Sequence, residues 1–142
     1  MATRRHFLKL SAAAGLAPAV VSAQGRAKVV VIGGGFGGAT AARTLKALQP
    51  ALDVTLVEPN PVYTSCPFSN AVLANLREID RQQFGYDGIK SAGVTVAQTS
   101  ASAVDAEAKS LTLADGNRLS YDRLVMTPGI DFNWGAIAGY DE

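Results

Sequence analysis

The sequence predicts an α/β fold, a parallel sheet joined to a short β-meander. Three observations predict it. Four β-branched residues, Val29 to Ile32, stand directly before a glycine-rich turn. A stretch with apolar residues at helical spacing follows that turn. A second apolar run, Val54 to Val57, then ends in an acid. Strand, turn, helix and strand in that order mark parallel pairing, because parallel neighbours need a crossover between them.

Each element has its own justification. Val29-Val30-Val31-Ile32 shows no polar alternation, the pattern of a strand covered on both faces. Gly33-Gly34-Gly35-Phe36-Gly37-Gly38 follows. Gly33, Gly35 and Gly38 fill the pattern G-x-G-x-x-G, with Gly34 and Gly37 between them. Gly33 permits the tight turn, Gly35 lets the backbone approach a pyrophosphate, and Gly38 lets the next helix pack close to the strand. That helix is predicted from about Gly37 to Leu48, with Ala41, Ala42, Leu45 and Leu48 at helical spacing and Pro50 ending it. Its free N–H groups and dipole face the phosphates of a ligand. Glu58 lies 20 residues after Gly38, the position of an acid that hydrogen-bonds ribose hydroxyls. A carboxylate there repels a 2′-phosphate, and no Arg occurs in Pro59-Asn60-Pro61, so NADP is disfavoured. The sheet is thus Rossmann-like and dinucleotide-binding.

This first motif does not separate FAD from NAD, and the later chain bears on that choice. Gly93-Val94-Thr95-Val96-Ala97 reads as a further strand. Ser110-Leu111-Thr112-Leu113 and Arg118-Leu119-Ser120-Tyr121 alternate around Asp115-Gly116, a hairpin signal. Tyr121-Asp122-Arg123-Leu124-Val125-Met126 then leads into Thr127-Pro128-Gly129. A meander followed by this strand and small-residue turn resembles the second FAD-contacting motif of two-dinucleotide-domain flavoproteins. That family usually shows Ala-Thr-Gly where this chain has Thr127-Pro128-Gly129. By the same resemblance the backbone at about Val96 meets the adenine. Taken singly, each segment is also a plain strand or hairpin.

The opening residues read as an address. Thr3-Arg4-Arg5-His6-Phe7-Leu8-Lys9 precedes an apolar run, Leu10 to Val21, and Val21-Ser22-Ala23 precedes Gln24. A charged start, a short apolar middle and a small-residue end make a secretory signal. The arginine pair with Phe-Leu-Lys resembles a twin-arginine signal, which implies export to the periplasm. An ordinary secretory signal and an uncleaved anchor are the alternatives. The run is short for a bilayer span, and no transmembrane helix follows it. The expected organisation is a signal peptide over 1–23 and the N-terminal part of an FAD-binding, Rossmann-like domain over 24–142.

Composition narrows the chemistry further. The 142 residues hold 13 Lys+Arg, 12 Asp+Glu, one His and one Cys. One cysteine excludes an internal disulfide and a four-cysteine zinc site. His6 lies in the signal, so the remainder lacks a Ser-His-Asp triad and a His-ligated metal. Losing Arg4, Arg5 and Lys9 turns the formal charge of +1 slightly negative. No basic patch for nucleic acid remains.

The one cysteine lies in Tyr63-Thr64-Ser65-Cys66-Pro67-Phe68-Ser69-Asn70, ahead of a helical stretch, Ala71 to Leu76, which Ser69 or Asn70 can cap. A lone cysteine is by default a small buried apolar residue. Just upstream of a helix N-terminus, a thiolate is instead stabilised. The order G-x-G-x-x-G, Glu58-Pro59-Asn60, Cys66-Pro67-Phe68-Ser69-Asn70 and Gly85-Tyr86-Asp87-Gly88 resembles the flavin subunit of flavocytochrome c sulfide dehydrogenase. The relation extends to sulfide:quinone oxidoreductases and covers Arg26 to Glu142. It implies an FAD-dependent oxidoreductase that oxidises sulfide and passes electrons to a c-type cytochrome subunit. It also implies that Cys66 carries FAD through a thioether to the 8α-methyl group.

The departures are equally specific. That family's subunits are several times longer, with a second nucleotide-like domain and a redox-active cysteine pair. No catalytic residue of the sulfide chemistry is present here, so the expectation is an incomplete fold, a fragment inactive by itself. Two other functions compete: a sulfide:quinone oxidoreductase-type flavoprotein, and a non-catalytic nucleotide-binding or unstable truncated product. Between the motifs, Leu76 to Gln83 reads as a solvated helix face, Gly85 to Gly88 as turn and Asp105 to Lys109 as exposed loop. Phe132 and Trp134 are assigned either to the core or to a cover over a flavin or partner.

Overall fold

The computed structural model describes residues 25–131 and 133–139. The signal assigned to 1–23 lies outside them, as does Phe132.

The β-branched run forms β1, Lys28–Ile32. The glycine turn leads into α1, Phe36–Leu48, one residue earlier than its apolar spacing indicates. Then come β2, Asp53–Val57, and β3, Val62–Thr64. A short helix α2, Ser69–Leu73, and a 3₁₀ turn, Ile79–Gln82, lead into β4, Gln83–Gly85. A third helix α3, Asp87–Ser91, precedes β5, Thr95–Ala97. The meander is β6, Ala101–Asp105, β7, Ser110–Leu113, and β8, Arg118–Ser120. Last comes β9, Arg123–Met126.

Strands β5, β2, β1 and β9 form one sheet in that order, and every pairing in it is parallel. The unbroken apolar character of β1 has its cause here. Val29 and Val31 face a cluster with Ala42 of α1, Val54, Leu56, Tyr86 and Val94. Val30 faces the other way, onto Leu111, Leu113, Tyr121 and Val57. Helices α1 and α3 cover one face of the sheet and the meander covers the other. A strand between two covered faces has no solvent side on which to place polar residues. Burying each such Val or Leu contributes about 1.5–3 kcal/mol.

The meander turns where Asp115-Gly116 places it. Gly116 has φ +84, and Asp115 Oδ1 accepts the Asn117 N–H at 3.0 Å. Asp105 to Lys109 is a turn as expected, held by Ala108 N–H donating to Asp105 Oδ1 at 2.8 Å.

Four expectations are corrected between β3 and β5 and near the end. Leu76 to Gln83 is no solvated helix: only Ile79–Gln82 winds, and Gln82 is 2% exposed. Its amide fills a gap behind the Cys66 loop, so the residue is buried despite its charged neighbours. Gly85 to Gly88 is not only turn, because Gly85 ends β4 and Asp87 begins α3. Neither Ser69 nor Asn70 caps α2. Phe68 is the residue ahead of it, in the left-handed region at φ 67, and Asn70 Oδ1 accepts the N–H of Ala71 beside it. Trp134 is 40% exposed and is not core.

Candidate functional site

The site begins where the parallel strands stop. Gly33 N–H donates to Val57 O at 2.9 Å, Thr127 N–H to Ile32 O at 2.9 Å, and Glu58 N–H to Ala97 O at 3.0 Å. One more hydrogen bond thus continues each ladder past its last residue, and the loops leave in register. All four carboxyl ends lie on one edge, the edge at which open parallel sheets bind ligands.

A cleft of about 710 Å³ opens there. Its lining includes Gly33, Gly34, Gly35, Gly37, Glu58, Cys66, Thr127, Pro128 and Gly129. Gly33 and Gly129, 96 positions apart in sequence, thus meet in one space. Gly38 and Val96 do not line it. Gly38 is buried at the crossing of α1 over β1, and Val96 pairs with Leu56 in the sheet.

The glycines divide their work as the local geometry demands. Gly33 has φ +93, a conformation that side chains other than glycine rarely adopt. A Cβ on Gly38 would overlap Gly33 O. The helix therefore crosses the turn at a distance only glycine allows. Thr127 closes the turn from the far side: its hydroxyl donates at 2.7 Å to Ile32 O, with Gly33 O at 3.1 Å. The first-turn N–H groups of α1 have no intrahelical acceptor and stand beside the cleft. No acidic side chain occupies that first turn.

Glu58 is buried at the end of β2. Its Oε2 accepts the Gly34 N–H at 2.7 Å. Its Oε1 accepts from Asn60 twice, from the backbone N–H at 2.9 Å and from Nδ2 at 3.0 Å. The carboxylate is fixed between the glycine turn and Asn60. A carboxylate has about four acceptor positions, so three such bonds leave room for a ligand hydroxyl.

Tyr86 also belongs to the site; the Gly85-Tyr86-Asp87-Gly88 motif contains it, but nothing in the sequence assigns it to the cleft. It stands at the start of α3, 7% exposed, and its hydroxyl donates to Gly34 O at 3.1 Å. Burial, then the negative charge of Glu58, then Tyr63 push its pKa up to about 12. Tyr63 also lines the cleft and meets Phe36 edge-to-face, ring centroids 5.4 Å apart.

Cys66 is exposed and lines the cleft, so it is not the buried apolar residue of the default assignment. Its loop is held from behind. Ser65 N–H donates to Gln82 O at 2.8 Å. The Gln82 amide donates to Pro67 O and accepts from Arg77 Nε, each at 2.7 Å. Arg77 in turn lies 5.7 Å from the Phe68 ring centroid. Gln82 was missed because its contacts come from the fold and leave no periodic trace.

The donor set fits an adenine dinucleotide. Glycines open the backbone, helix N–H groups face the cleft, and an acid ends the second strand. Among the described residues no group of acids, histidines and cysteines can hold a metal ion, and no helix is long and apolar enough to cross a membrane.

Known proteins share this arrangement. The sequence profile of the family described as "Pyridine nucleotide-disulphide oxidoreductase" matches residues 27–140. Over 48 residues, 34% of this chain, the sequence is 58% identical to the sulfide dehydrogenase (flavocytochrome c) flavoprotein chain of Chlorobaculum thiosulfatiphilum, and covers 100% of that sequence. It is 28% identical over 109 residues to the sulfide-quinone reductase of Aquifex aeolicus (strain VF5), covering 76% of this chain and 25% of that one. The X-ray structure of the sulfide:quinone oxidoreductase from Aquifex aeolicus superposes with a TM-score of 0.72 at 28% identity, covering 78% of this chain and 26% of that one. The chain thus spans about a quarter of the length of that reductase. Residues 27–140, matched by the family profile, include those that build the parallel sheet, the glycine turn and the cleft. The chain belongs to the pyridine nucleotide-disulphide oxidoreductase family, with a Rossmann-like FAD-binding fold similar to that of sulfide:quinone oxidoreductase.

Proposed function

We propose that this chain is the FAD-binding part of an exported flavoprotein that oxidises sulfide and delivers electrons to a c-type cytochrome subunit. One observation carries the FAD assignment. A single cleft gathers the glycine turn, Glu58, Cys66 and Thr127 to Gly129. The N–H groups at the start of α1 would hold the diphosphate, Glu58 the adenosine ribose, and Thr127 to Gly129 the flavin nucleotide. Cys66, the only cysteine of the chain and already on the cleft wall, would tether FAD through a thioether to the 8α-methyl carbon; S–H and one 8α C–H bond break as S–C forms, and both hydrogens stay on the flavin as its two-electron reduced form. When bound, FAD accepts two electrons together and releases them singly, which a one-electron acceptor requires.

Sulfide as substrate and a cytochrome as partner rest on the 58% identity to the flavocytochrome c sulfide dehydrogenase chain. Export to the periplasm rests on the leader, Thr3 to Ala23. A tether suits that compartment, where lost FAD is not replaced. A second reading changes only the acceptor, to a quinone, and the structural likeness to sulfide:quinone oxidoreductase favours it.

The denaturing intact mass of the protein from its native host's periplasm tests the proposal. The expected result is cleavage after Ala23 and an excess equal to one FAD. Cys66→Ser should leave the fold intact and release the flavin to acid. Flavin that stays attached to the Cys66→Ser variant after denaturation would place the tether elsewhere. A wild type of bare polypeptide mass would overturn the covalent assignment. Reduction of horse-heart cytochrome c against a short-chain quinone, with sulfide as donor, separates the two acceptors.

A further inference from the structure

The Gly34–Gly35 peptide sits at the mouth of the cleft with no side chain on either side. Neither residue has a Cβ to bias the plane of the peptide between them. Either face of that peptide is therefore sterically open. One orientation turns a carbonyl oxygen, with its partial negative charge, toward a bound diphosphate. The other turns an N–H there. An anion site needs the second.

The structure holds one orientation at the carbonyl: Gly34 O accepts from the Tyr86 hydroxyl at 3.1 Å, while the Gly34 N–H, which belongs to the preceding peptide, donates to Glu58 Oε2 at 2.7 Å. A Cβ on Gly34 would overlap the Tyr86 hydroxyl, so the ring occupies the space that glycine leaves. The ring itself is fixed. It packs among Val29, Val31, Ala42 and Leu56, and its backbone oxygen accepts the Ile89 and Lys90 N–H groups at 3.0 and 2.9 Å. Because the peptide is planar and trans, the Gly35 N–H points opposite to the Gly34 carbonyl, away from the buried hydroxyl.

We propose that Tyr86 is a positioning residue for the diphosphate: its hydroxyl holds the Gly34 carbonyl away from the anion, so that the Gly35 N–H stays available to it. The inference rests on the nucleotide assignment above. It adds Tyr86, the residue just ahead of α3, to a turn otherwise built by β1 and α1.

The test compares ADP, FAD and adenosine binding to the flavin-free Cys66→Ser chain and to the same chain carrying Tyr86→Phe, which keeps the ring and removes only the hydroxyl. Loss of one such hydrogen bond predicts about tenfold weaker binding of ADP and FAD. Adenosine, which has no phosphate, should bind the two proteins equally. Equal ADP affinity would overturn the inference. Equal losses for ADP and adenosine would also overturn it, by reducing Tyr86 to structural support. A flavin-free Cys66→Ser chain that takes none of the three would overturn the nucleotide assignment itself. That same chain supplies a check that does not depend on folding of the Tyr86→Phe variant. The carbonyl carbon of Gly34, labelled with carbon-13, should show one hydrogen-bonded resonance with and without ADP. Two exchanging orientations in the ligand-free protein would refute the clamp.

Discussion

Glu58 shows how one residue serves fold and ligand together. Its Oε2 fixes the Gly34 N–H, while Oε1 is oriented by Asn60 through two bonds. Removing the carboxylate therefore removes both an acceptor for ribose hydroxyls and a brace for the glycine turn. Glu58→Ala should weaken ADP binding by at least about tenfold, since hydrogen bonds to charged groups contribute about 1.5–3 kcal/mol each. Isothermal calorimetry checks this, and unchanged affinity would remove Glu58 from the ribose. The acid was legible in the sequence because its distance from the glycines is set by one helix and one strand. The Asn60 support is not legible in Glu58-Pro59-Asn60, because a capping geometry two residues away depends on how the loop turns.

At the scale of the element, α1 against β1 decides the shape of the site. Gly37 and Gly38 are neighbours in the helix with opposite surroundings. A Cβ on Gly38 would overlap Gly33 O, a backbone atom that cannot move without the whole turn. A Cβ on Gly37 would meet Thr127 Cγ2 at 3.4 Å, an ordinary contact. Gly38→Ala should therefore destabilise the protein by about 3 kcal/mol through overpacking. Gly37→Ala should be near neutral or stabilise by up to about 1 kcal/mol through helix propensity. Urea unfolding of both variants measures the contrast, and equal effects would show that the crossing distance does not depend on Gly38. The glycine spacing predicted this crossing because the pattern is local. The segment between β3 and β5 was read poorly for the opposite reason. Its elements are three to five residues long, too short for a period to show. Their conformation follows from contacts such as Gln82 with Pro67 and Arg77.

Across the whole molecule, the two covered faces of the sheet set its response to pH. Tyr86 lies in the core shared by β1, β2 and α1, with its pKa raised to about 12 by burial and by Glu58 and Tyr63. In the unfolded chain the phenol titrates near its usual 10. The folded state thus favours the neutral form. The stability this contributes is fully present below pH 10 and is lost as pH rises toward 12. Unfolding free energies from pH 8 to 11.5 should fall more steeply above pH 10 for the wild type than for Tyr86→Phe, and parallel curves would contradict a buried neutral phenol.

The sequence by itself determined the parallel sheet, the glycine turn, the acid after β2 and the meander. Each is written in neighbouring residues: a period, a turn requirement, a fixed spacing. It also held Cys66 and Thr127 to Gly129 as candidates, without the means to bring them together. Only the tertiary structure decided that these segments share one cleft, that Gln82 is buried behind Cys66, and that Tyr86 clamps Gly34 from 52 positions away. Such contacts join residues through space, and a linear pattern carries no record of them.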